Sequence, residues 1–390
     1  MIKRLLTAVC DLDQLLRLHQ LGFVAIWPLL GLAAVSDWSP LAVAGLLTVS
    51  LFFNTFGVLL DDAVHLDVDR RDPLRSNRWL VRGSVTQRQA VVAAIAQVPL
   101  MVAVHFAAGF TIAALPCLLG AVVGQGLYDL YGKKCRVPPL MEAAEAAAAF
   151  LLVVYGATAT GNATNSLVWL TAGAGAAFIL LVNAFHGSLR DIAFEIACDQ
   201  RTTPIWLGCR GIQEGVVHIS SAMSAYAGAW QVVLIALSIA VIAQPGSTAD
   251  RNLLVVLAAG IVALANAALF VLLHRVRKPA WDVVMRGHVT ILALPIMLAF
   301  APRLGPSRTG LLFVVYFAPT LLTAHYWFNR TRGSMAGSRA TSATDVHMPL
   351  PEQDLTPGLA GNDLDFRRLI NEHRRPSDRQ PQAARLNRQA

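Results

Sequence analysis

Charge is scarce in this chain. Asp, Glu, Lys and Arg make up 14% of its 390 residues, against about 25% in ordinary soluble domains. A soluble fold of this size has a large surface, which so few charges could not hydrate. That excludes an ordinary soluble enzyme, and 55% hydrophobic residues exclude a disordered chain. Cysteine is sparse too. Cys10, Cys117, Cys135, Cys198 and Cys209 form no CxxC pair and no ligand-like spacing, so they read as free thiols. No signal peptide is expected either, because the first apolar run is short and broken by Asp11 and Asp13. What remains is a polytopic membrane protein.

A spanning helix needs about 20 mostly apolar residues. Ten stretches qualify: 19–36, 40–60, 88–107, 109–127, 140–158, 166–186, 218–243, 252–273, 287–302 and 309–328. They predict an all-α, polytopic transmembrane helical bundle of nine to ten spans; the ninth is short and carries Pro295. Lys and Arg set the orientation. Nineteen of them fall on one side of the predicted spans and only Arg251, Arg303 and Arg308 on the other. This predicts cytoplasmic loops on the basic side of the cell membrane, with both termini cytoplasmic if there are ten spans. Three parts follow: a cytoplasmic N-terminal segment (1–18), a transmembrane domain (19–328) and a cytoplasmic tail (329–390). The tail reads as largely disordered, with 364–375 suited to a short basic helix at the membrane surface. The net charge of +8 then reflects topology beside a lipid bilayer, and no nucleic-acid partner is expected.

The acids of the body are clustered. Asp61, Asp62, Asp67 and Asp69 follow the second predicted span; Asp191, Glu195 and Asp199 follow the sixth. The clusters are four spans apart, which suggests a parallel four-helix internal repeat. Asp61, His65 and Asp69 are spaced i, i+4, i+8, and Asp191, Glu195 and Asp199 repeat that spacing. Such positions share a helix face, where like charges repel unless positive charge is supplied. A hard divalent cation with oxygen ligands fits best, and Mg²⁺ commonly carries substrate phosphates with it. Arg78 and neighbouring arginines follow the first cluster, and Lys133, Lys134, Arg190 and Arg201 lie in the other basic loops. Carboxylates ringed by cations suit a metal-bridged diphosphate.

The segment DDAVHLDVDRRDPLRSNRWLVRGSVT resembles the first signature, NDxxDxxxD with its basic loop, of the UbiA superfamily of intramembrane prenyltransferases. Asp62 and Asp69 take two of its acidic places, and Arg78, Leu80 and Gly83 match the loop. The segment RDIAFEIACDQRTTPIWLG resembles the second signature, with Asp191 and Glu195 in the acidic places and Arg201 in the basic stretch. Between them, YDLYGKKCRVPP is similar to the family's Tyr and Lys pattern, here Tyr128, Lys133 and Lys134. The resemblance covers roughly residues 20 to 330. It implies a helical bundle around a central cavity, with Mg²⁺ bridging Asp61, Asp62, Asp69, Asp191 and Glu195 to an isoprenyl diphosphate. It also implies Arg78, Lys133, Lys134, Arg201 and Tyr128 on the diphosphate, with Asp62, Asp69, Asp191 and Glu195 serving catalysis. An aromatic or other lipophilic acceptor would capture the allylic cation.

The sequence departs from the pattern in three places. Asp61 stands for the usual Asn, His65 for an Asp and Glu195 for an Asp. Neutral imidazole is a poor Mg²⁺ ligand, so the first metal site is expected to be rearranged, with His65 and Asp67 as further candidates there and Asp199 in the second cluster. Asn54 and Asn183 lie within spans above the two clusters and are candidate cavity residues, as are the aromatics Phe52, Phe53 and Phe56. Glu145, His105 and Asn266 read as structural, and Trp38, Trp79, Trp206, Trp281 and Trp327 as interfacial anchors. Two alternatives stay open: a terpene cyclase of the same superfamily, and a non-enzymatic transporter.

Overall fold

The computed structural model describes residues 15–72, 75–76, 78–213, 215–244, 251–274 and 277–341. The chain falls into two units, Met1–Gly333 and Ser334–Ala390. The described helices lie in the first unit up to Gly333. Most of the expected tail, including 364–375, lies outside the described residues, as does Cys10.

Fourteen α-helices are described. They are α1 (Leu21–Ala34), α2 (Pro40–Val64), α3 (Leu66–Asp69), α4 (Gln87–Ala107), α5 (Leu115–Tyr131), α6 (Pro138–Thr158) and α7 (Ser166–Leu181). Then come α8 (Leu189–Ala197), α9 (Thr203–Trp206), α10 (Ser221–Ala243), α11 (Arg251–Leu273), α12 (Lys278–Leu292), α13 (Leu294–Ala299) and α14 (Ala301–Thr341). A two-residue β-ladder pairs Ile212–Gln213 with Val216–Val217. Among the described residues eight helical stretches are long and apolar enough to cross a membrane, and Leu18–Ala34 is a shorter apolar one. This is an all-α, multi-pass membrane fold. The tenth stretch of the sequence falls within α14, which is interrupted at Gly305 (φ 72°).

Local chemistry sets the helix ends. Ser39, Thr86, Asn165 and Ser220 cap α2, α4, α7 and α10 by accepting backbone N–H bonds. The tight turn after α4 is made at Gly109, whose φ of 71° suits glycine. The ninth span is broken between α12 and α13, just before Pro295, which cannot donate a helix hydrogen bond.

Packing follows composition. α1 carries no charged side chain and is buried on all sides, against α2, α6 and α7. Gly31 of α1 lies against the Val153 carbonyl of α6, and Gly156 of α6 against the Pro28 carbonyl of α1. A Cβ at either glycine would overlap backbone, so the pair sets how closely the two helices approach. Toward the periphery, Val92, Ile95, Val123, Val232 and Val256 are exposed. Apolar side chains bare in this way suit contact with lipid.

Candidate active site

The two acidic motifs come from different helix ends and meet around one cavity of about 260 Å³. In the first motif α2 stops at Val64, and His65 (φ −101°, ψ 12°) links it to the single turn of α3. The near-helical path keeps Asp61, Asp62 and Asp69 together. In the second motif the helix widens into a π-helical segment, Val182–Ser188, before α8 carries Asp191 and Glu195. Such segments are frequent at functional sites, and this one puts Asn183, Gly187 and Ser188 on the cavity wall.

Arginines knit the motifs together. Arg75 Nη1 donates to Asp69 Oδ1 at 2.5 Å, while its Nη2 donates to Asp191 Oδ2 at 2.9 Å. One guanidinium therefore joins both motifs; it also pairs with Asp72 and lies 5.8 Å from the Phe194 ring. Arg78 Nη1 bridges Asp62 Oδ1 (2.9 Å) and Asp69 Oδ2 (2.6 Å). Arg17 donates to Asp61 Oδ2 at 3.1 Å and also bonds Asp62. Lys133 Nζ lies 3.8 Å from Glu195, which also accepts from Thr202 at 3.0 Å. Burial opposes the charge on each arginine. For Arg17 the carboxylates of Asp62, Asp61 and Asp69 outweigh it and raise the pKa above the ordinary value. For Arg75, Asp69 and Asp191 do the same. Arg78 goes the other way, pushed down by burial and then by neighbouring Arg17.

The expected residues divide into three groups. Asp61, Arg78, Tyr128, Lys133, Asp191, Glu195, Asn54 and Asn183 line the cavity. Asp62 and Asp69 are 5% and 2% exposed and sit beneath Arg17, Arg75 and Arg78. The rest do not line it. His65 is buried and turns Nδ1 back to Asp61 at 3.0 Å. Asp67 is 88% exposed and pairs with Arg70. Asp199 lies past the end of α8 with φ 52°, off the face shared by Asp191 and Glu195. Lys134 and Arg201 are exposed, although the Arg201 backbone N–H bonds the Lys133 carbonyl at 3.0 Å. Of the aromatic candidates, Phe53 and Tyr128 reach the wall.

Sequence reasoning passed over several cavity residues: Arg17, Arg75, Gln125, Asp129 and Glu145. An acid inside a span is itself a functional signal, and Glu145 carried it; Asp129 lies two residues past the predicted span 109–127. Glu145, read as structural, faces the cavity and accepts from Asn183. Trp281, read as an interfacial anchor, is 0% exposed and donates Nε1–H to the Leu272 carbonyl at 3.0 Å. Behind the π-helical segment runs a buried polar chain. His186 Nε2 and His288 Nδ1 are 2.8 Å apart, and His288 Nε2 lies 2.8 Å from Gln231 Oε1. Gln231 in turn donates to Asn266 Oδ1 at 2.7 Å. Because an amide oxygen only accepts, His288 Nε2 carries the proton and His186 Nε2 donates to His288 Nδ1. The cysteines described are free thiols.

Comparison with known proteins places this geometry. The model of the UbiA prenyltransferase family matches residues 21–286. The chain belongs to that family. Solved structures agree on the fold. A UbiA homologue from Aeropyrum pernix K1, in its apo form, superposes with a TM-score of 0.54 at 18% identity, covering 72% of this chain and 97% of that one. A UbiA homologue from Archaeoglobus fulgidus bound to GPP and Mg²⁺ gives 0.53 at 20% identity, with 75% and 98% covered. A structure described as digeranylgeranylglyceryl phosphate synthase gives 0.53 at 16% identity, with 74% and 96% covered. No curated protein matches this chain. Membership in the UbiA family makes the chain a prenyltransferase-type enzyme of the membrane.

Proposed function

We propose that the chain is a Mg²⁺-dependent intramembrane prenyltransferase that moves an isoprenyl group from a prenyl diphosphate to a lipophilic acceptor. The observation that carries this reading is the meeting of Asp69 and Asp191 on one guanidinium, at the wall of a cavity ringed by cations. The donor set suits the ion. All its carboxylate oxygens are hard ligands, and Asp61, Asp191 and Glu195 face the cavity. Among the described residues no three His, Cys, Asp or Glu side chains converge on one point. Mg²⁺ commonly keeps water and substrate phosphate oxygens beside its protein carboxylates. Asp61, Asp62, Asp69, Asp191 and Glu195 are the proposed ligands, and the A. fulgidus homologue binds GPP with Mg²⁺.

When bound, Mg²⁺ supplies charge that stabilises the departing diphosphate. The chain does the rest. Lys133, Arg78 and Arg190 at the wall face the diphosphate oxygens and stabilise charge as it grows there. Val24, Phe53 and Val58 give an apolar wall for the prenyl chain and keep water from the allylic cation. The C1–O bond breaks with its electron pair leaving on diphosphate. The acceptor supplies the pair for the new bond to C1 and loses a proton. The site opens to the cytoplasm, where the basic loops lie, and residues 19–328 form the catalytic domain.

The test is pyrophosphate release from geranylgeranyl diphosphate by the purified protein in nanodiscs, with and without Mg²⁺ and acceptor. Release that needs both supports transfer. A cyclic hydrocarbon or alcohol formed without acceptor would assign a terpene cyclase instead. Transport across liposomes with no pyrophosphate from any prenyl diphosphate would overturn the enzyme reading.

A further inference from the structure

His186, His288 and Gln231 are buried in spans where polar side chains are costly, and none of them lines the cavity. Their place beside the π-helical segment gives them a use. α7, that segment and α8 run on as one helical stretch, Ser166–Ala197. A π turn takes up one residue more than an α turn. Were Val182–Ser188 to relax to α geometry, α8 would turn by about 100° around its axis, one residue's worth. That turn would carry Asp191 off the cavity wall and away from Arg75, which donates to it at 2.9 Å. The π form is rare, so contacts outside the segment must favour it. On the cavity side Asn183 donates to Glu145 of α6. Off the wall, His186 Nε2 donates to His288 Nδ1 of α12 at 2.8 Å. His288 has a firm base. Its Nε2–H donates to Gln231 Oε1 of α10 at 2.8 Å. α12 is pinned at its start, where the Lys278 backbone N–H bonds the Gly215 carbonyl at 2.8 Å. It is pinned again near its end, where Tyr316 Oη donates to the Thr290 carbonyl at 3.1 Å.

We infer that His288 is a positioning residue for the second acidic motif: through His186 it holds the π-helical segment in the form that turns Asp191 and Glu195 toward the metal. The inference rests on the reading of Asp191 and Glu195 as Mg²⁺ ligands. His288 acts at one remove, since it lies outside the cavity wall. A role in packing alone would make its two hydrogen bonds count alike. A positioning role singles out the bond to His186, because Gln231 sits on α10 and carries no part of the motif.

Two substitutions separate the bonds. His288→Asn sets an amide oxygen at the place of Nδ1, which keeps the His186 bond and forfeits the Gln231 bond. His288→Gln sets an amide N–H at the place of Nε2, which does the reverse. The readout is Mn²⁺ binding to the full chain in nanodiscs without diphosphate, followed by electron paramagnetic resonance. His288→Gln is expected to weaken binding about tenfold, as loss of a partner behind the ligands commonly does. His288→Asn should stay near the wild-type affinity, although both variants melt below the wild type. His186→Leu removes the same bond from the other side and should match His288→Gln, so the inference does not hang on one variant folding. In turnover, the Mg²⁺ concentration for half-maximal pyrophosphate release should rise about tenfold in His288→Gln, with kcat at saturating Mg²⁺ little changed. His105→Leu is the control for lost stability. His105 is buried with Nδ1 3.3 Å from Tyr155 Oη, about 27 Å along α4 from its start beside the first motif's loop. That variant should lower the melting temperature with Mn²⁺ affinity unchanged. Equal Mn²⁺ affinity in the two His288 variants, the reverse order, or a His105→Leu loss as large as that of His288→Gln would overturn the positioning role. Wild-type protein that binds no Mn²⁺ would instead overturn the metal reading, and the inference with it.

Discussion

Arg75→Gln tests the join between the two motifs. The guanidinium holds Asp69 at 2.5 Å, Asp72 at 2.9 Å and Asp191 at 2.9 Å, and the Arg75 side chain is 16% exposed. Stripping a buried ion pair of one partner costs about 3–5 kcal/mol. Here the loss is smaller, because Asp69 keeps Arg78 at 2.6 Å and Asp191 keeps Arg190 at 3.0 Å. About 2 kcal/mol is expected, a melting shift on the order of 4 °C for the protein without metal. The same change removes a cation that competes for the carboxylate oxygens. Binding of Mn²⁺, a paramagnetic stand-in for Mg²⁺, should tighten about tenfold in the absence of diphosphate, which is about 1.4 kcal/mol. Thermal melting in detergent and electron paramagnetic resonance read the two effects. A variant with wild-type melting and wild-type Mn²⁺ affinity would show that Arg75 does not tie the motifs, and the reasoning would fail.

Asp191→Ala should lower Mg²⁺-dependent pyrophosphate release at least about a hundredfold, while gel filtration shows an unchanged monodisperse peak. Gly156→Leu drives a side chain into the Pro28 carbonyl and should cost about 3 kcal/mol or more, read as lost melting temperature or yield. His288→Leu leaves the His186 donor and the Gln231 acceptor unpaired; about 3 kcal/mol of destabilisation is expected by thermal melting. His65→Asp restores the residue type of the family pattern. It also sets a carboxylate against Asp61, whose Oδ1 now lies 3.0 Å from His65 Nδ1. Repulsion on the order of 4 kcal/mol should lower stability, and Mg²⁺ should not recover it because position 65 faces away from the cavity. Full recovery by Mg²⁺ would put position 65 in the metal site.

The legible parts were those written in local pattern. Long apolar runs gave the spans, since a helix crossing lipid must satisfy its backbone internally and cover itself in apolar side chains. Asp62, Asp69, Asp191 and Glu195 stood out because charge is rare in such a chain. Their neighbours did not follow from spacing. Asp199 carries the right i, i+8 interval from Asp191, but α8 ends at Ala197 and the chain turns at φ 52°. Asp67 belongs to the acidic run yet points outward, since a helix places successive residues about 100° apart. Trp281 has the composition of an anchor, but its indole N–H found the Leu272 carbonyl inside the bundle.

The sequence by itself determined the solvent of this protein, its helices and the identity of its acidic motifs. Each of these depends on residues close together along the chain. Tertiary structure alone decided which charges meet. Arg75 pairs with an acid six residues away and with another 116 residues away. Arg17 reaches Asp61 and Asp62 from the far side of α1 in the sequence. It also decided that Asp129 and Glu145, on neighbouring helices, share one cavity wall with Asn183. The glycine contacts of α1 with α6, together with the packing of α5 on α6 and α6 on α7, set those positions. Hydrogen bonds and buried charge pairs act over a few ångströms, so a site assembled from six segments exists only once the helices have packed.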